Sequence, residues 1–308
     1  FCNMNRFKTW VGAMRLRTLP LSLSGIIVGS ALAGWLNHWD SWIFLAAIST
    51  TVLFQILSNL ANDLGDSQKG TDNEHRVGPD RAVQSGEISM LSMKRGVIVF
   101  IILSFISAAG LIYLSLPNLT NTLLIFYGIL AILSVLAAML YTLGKSAYGY
   151  SGFGDIMVFL FFGFVSVLGV FSLYGLTFEW LTVLPAITIG CWSAAVLNLN
   201  NMRDVTNDEA SGKRTMVVKM GYQRAKYYHV TLLFLGFTSW LWFILVIGAV
   251  SWSFLPEIAL LPTFFIPVHL KYVFSAPEPR VLDSELKKLA FMTFFSALLL
   301  AISLMIIH

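Results

Sequence analysis

Nine stretches of predominantly apolar residues, at roughly 18–36, 41–62, 96–115, 121–141, 153–173, 178–200, 228–248, 253–273 and 288–307, leave this chain little choice but to fold in a lipid bilayer. A helix needs about 20 such residues to cross ~30 Å of hydrocarbon, and each stretch meets or nearly meets that length. The composition agrees, with 57% hydrophobic and 12% charged residues, where soluble domains carry roughly 25% charged. The eighth stretch contains Pro256, Pro262 and Pro267. It is kept as a span because neighbouring helices can re-satisfy the carbonyls that proline frees. The expected fold is an all-α integral membrane protein of nine transmembrane helices, one domain over residues 1–308.

The placement of charge supports this count. All 20 Lys and Arg residues fall in the N-terminal tail, in the second, fourth and sixth gaps between spans, or in and beside the eighth gap. The alternate links, near Asn37–Asp40, Pro117–Thr120, Tyr174–Glu179 and Val250–Ser253, carry none. A wrong count would scatter the basic residues over both faces. The positive-inside rule then puts the N-terminus in the cytoplasm and the C-terminus outside, in a multi-pass protein of the cell membrane. Trp35, Trp39, Trp42, Trp180 and Trp252 gather at the basic-free ends, as an interfacial aromatic belt would. The net charge of +4 is accounted for by this asymmetry, so no nucleic-acid partner is expected. Cys2 and Cys191 match neither a metal-ligand spacing nor a disulfide framework.

More than half of the 16 acidic residues lie in two of the basic gaps. The first cluster, NLANDLGDSQKGTD, holds Asn59, Asn62, Asp63, Asp66 and Asp72. If the second helix runs through it, the first four share one face at i, i+3, i+4, i+7 spacing. The second, NLNNMRDVTNDEASGKRT, places Asp204 and Asp208 four residues apart, with Asn200 and Asn201 a turn earlier. Carboxylates stacked in this way repel one another unless a cation lies between them, and oxygen-rich sites with few carboxylates suit Mg²⁺ completed by substrate phosphates. Bases interleave with the acids: Lys69, Arg76 and Arg81 after the first cluster, Arg203, Lys213 and Arg214 around the second. Positive-inside anchoring alone can account for many of them. A third run, YTLGKSAYGYSGFGD, sets Tyr141 and Lys145 at i, i+4, followed by Tyr148 and Asp155. Acids that hold Mg²⁺ beside bases that hold oxygens form a diphosphate clamp. The two Asn/Asp clusters also echo each other four spans apart, which suggests two four-helix halves and a ninth helix.

These motifs resemble the UbiA superfamily of intramembrane aromatic prenyltransferases over essentially the whole chain. The family's N-D-x-x-D-x-x-x-D appears as Asn62-Asp63-Leu-Gly-Asp66 with its last acid displaced to Asp72, a form similar to the naphthoate branch. Its D-x-x-x-D is matched by Asp204 and Asp208, its Y-x-x-x-K by Tyr141 and Lys145, and its Arg-x-Thr-Leu-Pro opening by the segment containing Arg17. The resemblance implies helices around a central cavity and Mg²⁺ held by Asn62, Asp66, Asp204 and Asp208. It also implies a polyprenyl diphosphate contacted by Lys145 and nearby bases, and an aromatic acceptor, 1,4-dihydroxy-2-naphthoate. Arg17, Asn59, Arg76, Arg81, Tyr148, Asp155, Asn200, Asn201 and Arg214 are the expected substrate contacts. Tyr141, Asp63 and Asp72 are expected near the chemistry, either acid being able to deprotonate a ring hydroxyl.

Alternatives remain at this level: another aromatic acceptor such as 4-hydroxybenzoate or homogentisate, a secondary transporter, or a non-catalytic scaffold for prenyl lipid. Transporters place their acids near the midplane in broken helices, whereas here they lie at the span ends. The topology has a direct check. A reporter fused at His308 is expected to read as extracytoplasmic and one inserted at 67–92 as cytoplasmic; the same side for both would mean a miscounted span.

Overall fold

The computed structural model describes residues 2–71, 81–144, 146–177 and 179–307. Among them there are no strands, and nine helical stretches are long and apolar enough to cross a membrane. The helices, in chain order, are α1 (Cys2–Met14), α2 (Leu19–Trp35), α3 (Ser41–Lys69), α4 (Met90–Ser115), α5 (Asn121–Leu140) and α6 (Gly154–Val158). They continue with α7 (Val170–Leu173), α8 (Trp180–Arg203), α9 (Val205–Ala210), α10 (Met216–Met220), α11 (Tyr222–Ser251), α12 (Phe265–Ser275) and α13 (Leu282–Ile307). Hydrocarbon offers no partner for a free N–H or C=O, so each crossing segment bonds its own backbone.

Local sequence sets the ends and the irregularities. Asp40 caps α3 by accepting from the amides of Trp42 and Ile43, at 2.7 and 3.1 Å. At the other end Gly70, at φ 71°, takes the left-handed turn that stops it. In the eighth span the prolines remove donors of the α-helical ladder, and Leu255–Phe264 winds as a 3₁₀ helix before α12 begins. The fifth span is also irregular, because α6 passes into a π-helical turn over Phe159–Gly169 before α7 resumes. Wider helical turns of this kind recur at functional sites, and this one forms a wall of the cavity described below.

The centre of the bundle is α8, packed against α11, α13 and the fifth span. Its Trp192 is fully buried and meets Trp240 of α11 edge-on, with ring centroids 6.0 Å apart. Where helices cross closely, side chains are missing: a Cβ on Gly29 of α2 would lie 2.5 Å from the carbonyl oxygen of Val167, and one on Gly163 would lie 2.4 Å from that of Ala186. Membrane helices lack a hydrophobic drive to associate, and small residues that allow this approach replace it. Gly25 and Gly29, one turn apart on α2, form such a stripe. By contrast α4 and α5 present Ile98, Ile102, Ile106, Ile125, Ile129 and Ile132 outward, a surface suited to lipid. Polar contacts tie the far side of the bundle together. His229 of α11 meets His269 of α12 through their Nε2 atoms at 2.9 Å, and His269 Nδ1 lies 2.6 Å from Glu285 of α13. Lys288 donates to the same carboxylate at 2.6 Å.

This packing makes Gly29 intolerant of bulk. Gly29→Val should lower the thermal midpoint of the detergent-solubilised protein by the equivalent of ~1–3 kcal/mol of overpacking. Gly110→Ala, whose new methyl meets nothing within 4 Å, should leave it unchanged or slightly raised. Equal midpoints for the native protein and Gly29→Val would show that α2 and the fifth span are not in contact there.

Candidate active site

The first Asn/Asp cluster is helical, as its spacing predicts, because α3 runs on to Lys69. Asn59, Asn62 and Asp66 face a cavity of about 1030 Å³ inside the bundle. Asp63, one position beyond Asn62, turns away to a separate pocket of about 110 Å³ that Arg15, Arg81 and Glu87 also line. The polar end of α3 is held tightly against the end of α5: a Cβ on Gly65 would lie 2.4 Å from the hydroxyl oxygen of Thr142. That hydroxyl donates to the carbonyl of Ala61 at 3.1 Å. The contact puts Tyr141 on the cavity wall.

Asp66 is the hub of the first motif. Its Oδ1 accepts from the Tyr150 hydroxyl at 2.8 Å, and its Oδ2 pairs with the Arg81 guanidinium at 3.4 Å. Tyr150 also hydrogen-bonds Thr71, and its ring carries the Lys69 ammonium 3.9 Å from the centroid. The backbone carbonyl of Tyr150 accepts from the amide of Arg214 at 3.1 Å, while Asn207 donates to the carbonyl of Thr71 at 2.9 Å. The turn around Tyr150 therefore joins the two Asp-bearing segments, which are more than 130 residues apart in sequence.

In the second motif α8 ends at Arg203, and the chain turns through Asp204 into the short helix α9. Arg203 donates through Nε and Nη2 to both oxygens of Asp204, at 2.9 and 2.6 Å. It also reaches Asn200 at 2.9 Å and Asp283 of α13 at 2.6 Å. Asp208 pairs with Lys213 at 3.5 Å, because Gly212, at φ 75°, turns the chain back on itself. Arg203 and Lys213 line the cavity, whereas Asp204 and Asp208, the expected metal ligands of the second motif, do not and are paired with these two bases instead.

Burial opposes charge throughout this end of the bundle. The Asp208 carboxyl is pushed up to about 6, first by loss of water and then by the nearby carboxylates of Asp204 and Asp66, against the pull of Lys213. Burial works against the Lys213 ammonium too, but Asp66 and Asp208 outweigh it and hold the lysine protonated well above its usual range. Burial likewise pushes the Tyr141 hydroxyl up to about 12 and raises Tyr148 and Tyr150. These tyrosines are donors at neutral pH and not bases.

The structure brings Arg17, Asn59, Asn62, Asp66, Arg81, Tyr141, Tyr148 and Asn200 to one cavity. It sets other expected residues apart. Asn201 is buried in the body of α8, Asp155 is buried facing Tyr228, and the Arg214 side chain is exposed. Asp72, Arg76 and Lys145 lie outside the described residues. Tyr150, Arg203 and Lys213 are central here yet were not among the expected site residues. Arg203 and Lys213 stood out in sequence only as bases beside the second acidic cluster, and Tyr150 only as part of an aromatic run. Among the described residues, no three His, Cys, Asp or Glu side chains converge as a ready-made metal centre. The donor set nonetheless suits a hard cation: Oδ2 of Asp208 and Oδ1 of Asn207 are buried with no hydrogen-bond partner, and Asn62 and Asp66 add oxygens facing the cavity.

Away from the charged end the cavity becomes apolar, running past Leu21, Ile26, Ala47, Leu111, Phe162 and Val165. Asp66 and Ala47 lie 19 residues apart on α3, about 28 Å at ~1.5 Å per residue. Fold and site together define a multi-pass membrane protein with an internal cavity that is charged at one end and apolar along the rest. The chain belongs to the UbiA prenyltransferase family, whose model matches residues 22–295. It is 37% identical over 98% of its length to a Haemophilus influenzae 1,4-dihydroxy-2-naphthoate octaprenyltransferase, covering 97% of that protein. An Escherichia coli protein of the same name is 43% identical over 75% of this chain and 74% of its own. The fold is also that of a UbiA homologue from Aeropyrum pernix, at TM-score 0.65 and 14% identity, covering 95% of this chain and 98% of that one. A UbiA homologue from Archaeoglobus fulgidus, solved with GPP and Mg²⁺, superposes at TM-score 0.60 and 14% identity over 96% and 99% of the two chains.

The raised Asp208 carboxyl makes a stability prediction. Between pH ~4 and ~6 the folded protein holds this proton more tightly than the unfolded chain does, so stability is lost as pH rises through that window. Above it, the ionised carboxylate costs up to ~3 kcal/mol. With a chelator present, Asp208→Asn should therefore raise the thermal midpoint at pH 7.5 and leave it nearly unchanged at pH 4. Equal effects at both pH values would show that Asp208 is not held near 6.

Proposed function

We propose that this protein transfers a polyprenyl chain from polyprenyl diphosphate to 1,4-dihydroxy-2-naphthoate, with loss of CO₂ and diphosphate, to give demethylmenaquinol in menaquinone biosynthesis. The observation that carries the reading is the division of one cavity into a charged, oxygen-rich end and an apolar tunnel. The relatives named for this acceptor, 37% and 43% identical, support the choice among ring substrates. The cytoplasmic face of a bacterial inner membrane is the proposed setting for the charged end.

The residues divide the work. Lys213, Arg203 and Arg81 line the cavity and hold diphosphate oxygens, so negative charge that builds on the leaving group meets fixed cations in a low dielectric. Asn62, Asp66, Asp204 and Asp208 would hold Mg²⁺. When bound, the ion supplies charge neutralisation at the leaving oxygens. The apolar wall shields the allylic carbon from water, which would otherwise capture it. As the carbon–oxygen bond of the diphosphate breaks, a carbon–carbon bond forms at the ring carbon bearing the carboxylate. The carboxylate then leaves as CO₂, and its electron pair restores the ring. This sum needs no external base. Asp63 faces away from the cavity, and Asp72 stays a proposed aid to hydroxyl deprotonation.

Purified protein supplied with polyprenyl diphosphate, Mg²⁺ and 1,4-dihydroxy-2-naphthoate should release CO₂ and diphosphate in equal amounts. Faster turnover of 4-hydroxybenzoate, or a product that keeps its carboxylate, would assign another acceptor. Asp66→Ala and Asp208→Ala should each lower turnover at least ~10²-fold, as loss of a preorganised charge-stabilising group does. Lys213→Ala should mainly raise KM for the diphosphate. Near-native rates in both Asp variants would remove the two-motif site.

A further inference from the structure

Deeper than the carboxylates, the cavity carries a second polar group that the diphosphate reading leaves unused. Ser22 of α2 donates to Oε1 of Gln55 on α3 at 2.7 Å, and Gln55 Nε2 donates to the Thr18 hydroxyl at 3.2 Å. Asn59 donates to the Met14 carbonyl at 2.9 Å and lies at the limit of contact with Thr18 and Gln55, at 3.4 and 3.5 Å. All four side chains line the cavity, with Ser22 and Asn59 only 5% and 4% exposed. Asn59 and Gln55 lie 7 and 11 residues before Asp66 on one helix, or about 10 and 16 Å along its axis.

Amides and hydroxyls so placed are costly in an apolar tunnel unless they have partners. Their mutual bonds leave capacity unspent. The Gln55 carbonyl has a second lone pair, one amide hydrogen of Gln55 has at best the 3.5 Å contact, and Asn59 Oδ1 has only that same contact. A prenyl tail has nothing to offer such groups, whereas a ring with two hydroxyls and a carboxylate does. The cluster is uncharged, which suits phenolic hydroxyls. Arg17, next to Thr18 and also on the cavity wall, supplies a cation for a carboxylate. Asn59, the nearer of the two amides, lies about 10 Å along α3 from Asp66, a gap that a bicyclic ring would span between this cluster and a diphosphate held at Asp66 and Lys213.

We propose that Ser22, Gln55 and Asn59, with Arg17 beside Thr18 at the rim, form the subsite for the hydroxylated aromatic acceptor, and that Gln55 is its main specificity determinant. This rests on the prenyl-transfer reading above. The test varies acceptor and donor separately in the purified native protein, Gln55→Leu and Ser22→Ala. Gln55→Leu should raise KM for 1,4-dihydroxy-2-naphthoate about tenfold, the loss of one or two hydrogen bonds, and Ser22→Ala about threefold. In both, KM for polyprenyl diphosphate and Mg²⁺-dependent donor binding should stay within about twofold. Retained donor binding also certifies the fold, and Ser22→Ala, the gentler change, decides the matter if Gln55→Leu does not fold. A shift in donor KM with acceptor KM unchanged would place the tail against this cluster and overturn the proposal, as would no shift in either. Absence of naphthoate turnover by the native protein would instead count against the prenyl-transfer reading. If the native protein turns over another hydroxylated aromatic, the same comparison is made with that acceptor.

Discussion

A carboxylate at the edge of a bilayer cannot stand without a partner, and the architecture of this protein follows from how Asp66 and Asp208 are given theirs. Lys213 is held protonated by both acids despite its burial, because their combined field exceeds the cost of removing its ammonium from water. Asp66 adds the Tyr150 hydroxyl and the Arg81 guanidinium. These partners come from segments far apart in the chain, so satisfying one acid draws the ends of α3 and α8 and the turn around Tyr150 together. A polar cap thus closes the charged end of a bundle that is otherwise apolar.

The same economy explains Arg203. One guanidinium serves two carboxylates, Asp204 and Asp283, and Lys287 pairs with the second at 3.4 Å, so the charges of the group balance. Arg203 also lines the cavity, so the same guanidinium bridges α8, α13 and the cavity wall. The π-helical turn of the fifth span and the glycine contacts of α2 have a complementary role: they bring some helices close together and hold others apart, leaving a tunnel in a membrane protein that could otherwise have packed solid.

Much of this was legible in the residues. The nine spans follow from apolar length and the one-sided distribution of basic residues, since both are imposed by the bilayer and not by any partner. The i, i+3, i+4, i+7 spacing correctly predicted that Asn59, Asn62 and Asp66 share a face. It was less informative for Asp63, which the same spacing places with them but which looks into a different pocket, because one helical step of about 100° suffices to leave a narrow cavity. Asp204 and Asp208 match the spacing of a pair, yet each is occupied by its own base. Linear spacing says nothing about which bases fold back. The His229, His269 and Glu285 network was invisible for a similar reason: its members lie on three helices, and the spacing within any one of them does not point to the other two.

The sequence by itself determined the membrane class, the helix count, the span ends bearing the acids and the face shared by Asn59, Asn62 and Asp66. Each of these depends on local periodicity and on the partition of single residues between water and lipid. Only the tertiary structure decided that Tyr150, Lys213 and Arg203 complete the site, and that Gln55 and Ser22 meet in the tunnel. Such pairings join residues tens to more than a hundred positions apart. They exist because buried polar groups select partners by distance in the folded bundle, a quantity that periodicity along the chain does not contain.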